Sequence, residues 1–453
     1  MAKGRERLPH AGAARMGCNA LNINLTNSPK FRIVTLCALY FAQGMPFGFV
    51  TVTLVAYLSH HGLGVGAVGQ LTALSTLPWS FKWIWGPLID RYGSRSMGRR
   101  RPWILLAQSL MAVTIAAMIA IPDLTTDFAM LGWFVFLHNV FGSMQDVAVD
   151  ALAVDLLEEQ ERGKANGLMY GASYFGTAVG GAGLGLVLAA AGIRTAMLVQ
   201  VSILLGIMLF PLLLRERAGE RLLPWTRGRT MTLVETRAPQ SLWDLLRDLG
   251  RAFALRSTLL GGLLALTVKV GLGVSVAVTA VYFIQTLHWT QTEYTNVVGG
   301  GAVLLGLATS VAGGFIADRF GTRRVAVLAS LALGLLWVTF ALLHPAWDQR
   351  WLGIAFLYTQ EMLAALLTVS LFSLFMGIAW PVVAATQFTA YMALMNLSNT
   401  LGAWSAGLLS EHLSVPAVFL LLGLFQAALI SIPWGIDPHE TRRKLATLAG
   451  KIR

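Results

Sequence analysis

The sequence predicts an all-α polytopic membrane protein, with twelve transmembrane helices in two repeated six-helix bundles. Three observations predict it. Hydrophobic residues make up 56% of the 453-residue chain and charged residues only 12%, against about 25% charged in a soluble domain. The apolar runs are long enough to cross a bilayer, which takes ~20 helical residues each. A short charged motif recurs at equivalent places in the two halves, as expected of a membrane fold built from an internal repeat.

Breaks between the apolar runs place the first six spans at 31–58, 66–89, 102–121, 129–156, 164–190 and 193–214. The second six fall at 257–286, 292–317, 323–343, 350–379, 384–410 and 415–435. The expected organisation is a tail over 1–30, a bundle over 31–214, a polar linker over 215–256, a second bundle over 257–435 and a tail over 436–453. The first tail is basic and polar with no apolar core before Phe31, so the first span is expected to insert as an uncleaved anchor. In the linker, Leu242, Leu245, Leu246, Leu249 and Phe253 fall at helical spacing among Asp244, Arg247, Asp248 and Arg251. That pattern predicts an amphipathic helix lying on the membrane surface.

The net charge of +12 is a matter of orientation, not of nucleic-acid binding. Lys and Arg crowd the two tails, the linker and alternate connections, such as Arg99–Arg101, Arg162 with Lys164, and Arg319 with Arg323 and Arg324. The opposite connections carry only Arg194 and Arg350. The positive-inside rule then puts both termini and the linker in the cytoplasm. Cys18 and Cys37 have neither disulfide nor metal-ligand spacing. Walker loops and nucleophile elbows are missing as well. An enzyme, a bound cofactor and an ATP-driven pump formed by this chain alone are therefore not expected.

Ionisable groups cost at least ~2.5–3.5 kcal/mol at the centre of a membrane helix, so those present are expected to face a cavity or each other. Lys82, Asp146, Asp150, Lys269 and Glu361 lie well inside spans. Asp146 and Asp150 share one helix face with Gln145 beside them. Asp146 is read either as the structural ion-pair partner of Lys82 or as a residue with a substrate or proton role, and the two carboxylates are close enough to share a coupling proton. Trp79 flanks Lys82 and is the better candidate for a solute-stacking wall, since Trp83 and Trp85 suit interfacial anchoring. Two lysines facing one cavity favour an anionic solute. Glu361 is read as neutralising Lys269, and Gln387 as adding hydrogen-bonding capacity. Gly176, Gly180, Gly181 and Gly185 give small-residue spacings that allow close helix approach.

The repeated motif carries a resemblance. Asp318-Arg319-Phe320-Gly321-Thr322-Arg323-Arg324, echoed by Asp90-Arg91 and Gly98–Arg101, is similar to the signature loop of the major facilitator superfamily. The resemblance implies a cytoplasmic gate from Asp90, Arg91, Asp318, Arg319, Arg323 and Arg324, in which the arginines hold the halves together in one state. Arg162, in the Glu161-Arg162-Gly163 turn, and Asp155 are read as further gate members. A narrower match joins Phe81–Asp90, Gln145–Asp150, Lys269-Val270-Gly271, Glu361 and Ala385–Phe388. These resemble the AmpG-type muropeptide permeases and related acetyl-CoA transporters; Tyr391–Gly402 is closer to the latter. Where AmpG-type permeases carry an acid soon after the Lys-x-Gly, this chain has Leu272 and Gly273. The resemblance implies an alternating-access secondary transporter in the bacterial inner membrane, proton-coupled, monomeric and surrounded by lipid. The solute expected is anionic or contains sugar and peptide, with an acyl-CoA or siderophore-type solute as the alternative. A membrane receptor that binds without transporting is the reading from a different class.

Overall fold

Apolar runs that must satisfy their own backbone groups in lipid become helices, and the described residues follow that rule. The computed structural model describes residues 24–94, 96–226, 242–380, 383–437, 440–441 and 443–444, and at 159–160, 162–163 and 242–246 the backbone alone. Eight helical stretches are long and apolar enough to cross a membrane. One of them, Lys164–Leu213, is two helices joined at Gly192 (φ 83°). Three further rods, 65–91, Phe128–Leu156 and Ala384–His412, carry most of the polar groups discussed below. This makes twelve rods among the described residues, each within a few residues of its predicted span.

We label them α1 (Pro29–His60), α2 (65–91), α3 (Arg101–Ile119), α4 (Phe128–Leu156), α5 (159–191) and α6 (193–213). After the linker helix α7 (Leu242–Phe253) come α8 (Arg256–Thr286), α9 (Gln291–Phe320), α10 (Thr322–Leu342), α11 (Arg350–Ile378), α12 (Ala384–His412) and α13 (Val415–Trp434). The described ends of the chain and the linker lie on one face, here the terminal face; the opposite one is the far face. Two buried apolar cores fill the first half and a larger one, built on Phe340, Phe356, Trp337 and Phe419, fills the second.

The halves meet along α2 with α12 and along α5 with α9. The hydrogen bonds described between them run from the far face to mid-depth. Gln285 Nε2 donates to the carbonyls of Ser59 (2.8 Å) and Leu63 (3.0 Å) at the far rim. Deeper, the hydroxyls of Thr76 and Thr400 meet at 2.8 Å and those of Tyr174 and Ser310 at 3.3 Å. Between α5 and α9 the backbones touch: a Cβ built on Gly181 would lie 2.7 Å from the Gly299 Cα. Both glycines sit in widened π-type turns, Val179–Gly183 and Asn296–Ala302. Such turns leave carbonyls without a helical partner, and Thr53 Oγ1 of α1 donates to those of Gly180 (2.8 Å) and Gly181 (2.7 Å).

On the terminal face the start of the linker is docked on the first half. Leu25 N–H donates to the Arg215 carbonyl at 2.8 Å. Glu216, 4% exposed, accepts the N–H groups of Arg99 (2.9 Å), Arg100 (2.8 Å) and Arg101, so it caps the start of α3. The buried Arg101 guanidinium answers from the other side, donating to the carbonyls of Pro211, Leu212, Arg221 and Leu222. Burial pushes the Glu216 carboxyl up from 4.5 to about 7, against the pull of its three N–H donors. The folded state therefore holds this proton more tightly than the unfolded one. Stability from this site is greatest below about pH 4.5 and falls as pH rises toward about 7. Across that window wild type should lose on the order of 3 kcal/mol relative to Glu216→Gln. Thermal unfolding of both proteins over a pH series checks this, and parallel curves would refute it.

The backbone over Leu242–Phe253 is helical. Its end packs into the second half, with Ala252 buried beside Trp380 and Val383 and the Phe253 ring 5.5 Å from that of Tyr391.

Candidate functional site

Among the described residues, two transmembrane rods are interrupted at a lysine. In α2 the helix ends at Phe81 (φ −114°, ψ 9°), makes a tight 3-10 turn over Lys82–Ile84 and resumes at Trp85. Pro78 and Pro87 flank this turn, and each withholds an N–H from the helical ladder. In α8 the break falls on Lys269 itself (φ −101°, ψ 1°), between Arg256–Thr267 and Val270–Val281. Broken helices at membrane depth need outside partners for their freed backbone groups. Here α12 supplies both. Asn396 Nδ2 donates to the Trp79 carbonyl at 3.3 Å, and Ser398 Oγ accepts the Lys269 N–H at 3.0 Å.

Lys82 Nζ donates to Asp146 Oδ2 at 2.9 Å, and the two side chains are only 12% and 10% exposed. One turn further along α4, Asp150 accepts a hydrogen bond from the Tyr40 hydroxyl of α1. The Tyr170 ring of α5 meets Tyr40 edge-on at 5.8 Å. Four helices thus converge on one ammonium and two carboxylates. Trp79 Nε1 donates to Asn139 Oδ1 and Trp85 Nε1 to Ser143 Oγ, both at 3.1 Å. These bonds tie the turn to α4 and fix the indoles beside the ion pair. Trp83 is 56% exposed and stands apart.

In the second half, Lys269 and Glu361 are partly buried and act on each other electrostatically. No direct ion pair joins them among the described residues, so Glu361 does not neutralise Lys269 by contact. The Glu361 side chain lies over Gly306 of α9, where a Cβ would come within 2.8 Å of its Oε1. One turn along α9, Ser310 Oγ meets the Tyr174 hydroxyl of α5 at 3.3 Å. Tyr170, one turn earlier, packs edge-on against Tyr40, whose hydroxyl bonds Asp150. The two tyrosines, four residues apart on one helix face, therefore stand between the two charge clusters. That face is the element linking them across the seam.

Two of the expected cavity residues are placed elsewhere. Gln145 is fully buried and donates to Gln108 Oε1 at 3.0 Å, and Gln108 in turn donates to the Leu204 carbonyl. It packs α4 against α3 and α6, because its neighbour Asp146 takes the face toward Lys82. Gln387 is also fully buried. Its Oε1 accepts the Trp380 N–H at 2.8 Å and its Nε2 donates to Tyr391 Oη at 3.3 Å. It pins the connection between α11 and α12, where backbone groups outside the helices need partners.

The expected gate residues close on their own halves in this conformation. Asp90 accepts from Arg100 Nη1 (2.6 Å) and Arg99 Nη2 (3.2 Å), and Arg100 Nε donates to Asp155 Oδ2 (3.0 Å). The cluster joins the terminal ends of α2, α3 and α4. Arg91 lies over the Tyr92 ring. In the second copy, Arg323 donates to the carbonyls of Trp434 (3.1 Å) and Ile436 (3.2 Å) and covers the Trp434 ring, tying α10 to α13. Arg319 lies over Phe320, while Asp318 and Arg324 are exposed. Gly321 (φ 90°) ends α9 in a conformation that only glycine adopts without strain, which accounts for the motif's glycine. The Arg162 side chain lies outside the described residues.

The sequence reading did not single out Tyr40, Tyr170 or Tyr174. The four-residue spacing of Tyr170 and Tyr174 was a usable signal. Tyr40 had none, because its partner is 110 residues away.

Comparison with known proteins agrees with this architecture. Residues 36–387 match the family model described as Major Facilitator Superfamily. The anhydromuropeptide permease of Escherichia coli (strain K12) is 34% identical over 135 residues, covering 29% of this chain and 26% of that protein. An uncharacterised protein of Haemophilus influenzae is 30% identical over 171 residues, covering 37% of this chain and 40% of that one. The chain thus matches less than half the length of either relative. Among solved structures, a D-xylose-proton symporter superposes with a TM-score of 0.70 at 14% identity, over 91% of this chain and 99% of that one. The nucleoside transporter NupG does so with a TM-score of 0.68 at 14% identity, over 89% and 99%. At such identity these two structures show the fold alone. The family match covers most of the chain and the helical architecture is the same, so this chain belongs to the Major Facilitator Superfamily.

Proposed function

We propose that the chain is a proton-coupled secondary transporter that carries an anionic solute of the sugar-and-peptide class, such as an anhydromuropeptide, by alternating access. The observation that carries this reading is a pair of broken helices, each with a lysine at its break and an acid near it, on either side of the α5 tyrosines. An ammonium at a helix break suits an anionic group on the solute, and the flat indole of Trp79 suits a sugar ring. Lys82, Trp79, Asp146, Asp150, Lys269 and Glu361 form the proposed solute and coupling site. The Asp90–Arg100–Asp155 cluster and the Arg323 tie form the proposed gate on the terminal face, which we place in the cytoplasm of a bacterial inner membrane. The carrier acts as a monomer in lipid.

The departure at Leu272 and Gly273 and the Tyr391–Gly402 run favour an acyl-CoA solute as the second reading. Uptake of labelled anhydromuropeptide and of labelled acetyl-CoA into proteoliposomes, with and without an imposed pH gradient, separates the two. Accumulation of the first that collapses with a protonophore is the expected result. Uptake of acetyl-CoA alone would select the second reading. Binding of either without exchange would favour a receptor.

A further inference from the structure

We propose that Asp150 is the residue that takes up and releases the coupling proton, held in position by the Tyr40 hydroxyl. The inference rests on the proton-coupled reading above and assigns a role within that same site. Its basis is the charge count of the first-half cluster. Two carboxylates, Asp146 and Asp150, face a single ammonium, Lys82. Lys82 is within bonding distance of Asp146 only. The group that meets Asp150 is a neutral hydroxyl from another helix.

The groups facing Asp150 are Tyr40 on α1, Lys82 on α2, Asp146 on its own helix and, next to Tyr40, Tyr170 on α5. With both acids ionised, this mostly buried cluster carries one uncompensated negative charge. An uncompensated charge at membrane depth is costly. One proton on Asp150 removes it and leaves the Lys82–Asp146 pair intact. Protonating Asp146 instead would strand the ammonium without its bonded partner. The proton adds to a carboxylate oxygen of Asp150, giving the neutral acid, and leaves to water, regenerating the carboxylate. No bond to solute is formed or broken.

Tyr40 serves both forms. Its hydroxyl donates to the carboxylate and can accept from the acid, because a phenol does either. Tyr40 is a positioning residue, 7% exposed. It fixes where the acid points, and it lies on the helix whose far end helps to close the seam with the second half.

The test needs no solute. Full-length protein in lipid vesicles, with Glu216→Gln as the parent background of every protein compared so that this carboxyl adds no band, is taken through a pH series and the protonated-carboxyl stretch is followed by difference infrared spectroscopy. The wild type should show a carboxyl band that titrates. Asp150→Asn should abolish it. Tyr40→Phe should keep the band but move both its frequency and its titration midpoint, which a merely structural tyrosine would not do. An unchanged titrating band in Asp150→Asn overturns the assignment. If that variant is not folded, Tyr40→Phe decides, and a band identical to wild type overturns it equally. Since the readout contains no solute, it fails separately from the transport reading, which falls only if the wild type moves neither solute class.

Discussion

Lys82→Ala is expected to abolish proton-driven accumulation of solute while the protein still inserts and folds. The ammonium is the one cation bonded within a cluster that also holds Asp146 and Asp150. Removing it leaves two mostly buried acids with no counterion, and breaking such a pair from one side costs ~3–5 kcal/mol. Part of that cost is escaped by protonating Asp146, which removes the charge pattern that a transport cycle would use. The double variant Lys82→Ala/Asp146→Ala should recover most of the lost thermal stability, because neither charge is then left unpaired, yet it should stay inactive. Thermal unfolding of the two single variants and the double variant gives the coupling energy, and proteoliposome uptake gives the functional half. Normal uptake by each single variant would mean that transport does not need the ion pair.

A second large effect is expected at the seam. Gly181→Leu and Gly299→Leu should each prevent the far face from closing. A Cβ on either residue would meet the backbone of the other helix at 2.7 Å, and backbone cannot move aside as a flexible side chain can. The cheapest relief is for α5 and α9 to part, which also pulls on the Thr53 bonds to Gly180 and Gly181. Uptake should fall at least about tenfold, equivalent to ~1.4 kcal/mol on the closing step. Spin labels at His61 and Gln291, which line one far-face cavity of about 510 Å³, would report the opening directly in a background with Cys18 and Cys37 replaced by serine. A label separation equal to wild type, with normal uptake, would reduce these glycines to ordinary packing.

The predicted spans match the observed rods closely because the signal for each is local. A run such as 415–435 needs only its own length and apolarity to become a membrane helix. Repetition was also visible, since Asp90-Arg91 and Asp318-Arg319 are the same residues at equivalent places in the two halves. The two glutamines show the limit. Gln145 and Gln387 are polar residues inside apolar runs, yet rotation about the helix axis and the position of a neighbouring helix turned both into packing groups. Neither quantity is written in one helix's sequence.

Apolar length, charge placement and the repeated turn are properties of neighbouring residues, so the helical fold class and the approximate bounds of the rods could be read along the chain. Which charges touch could not. The direct bond between Lys82 and Asp146, the gap between Lys269 and Glu361, and the hydroxyl of Tyr40 on Asp150 depend on how rods far apart in sequence pack side by side. The two helix breaks belong to both levels. Pro78 and Pro87 mark the first in the sequence, but it took the fold to bring Asn396 and Ser398 of a single helix against both freed backbones. Packing decides this because a freed backbone group in lipid is stable only where another helix delivers a partner to it.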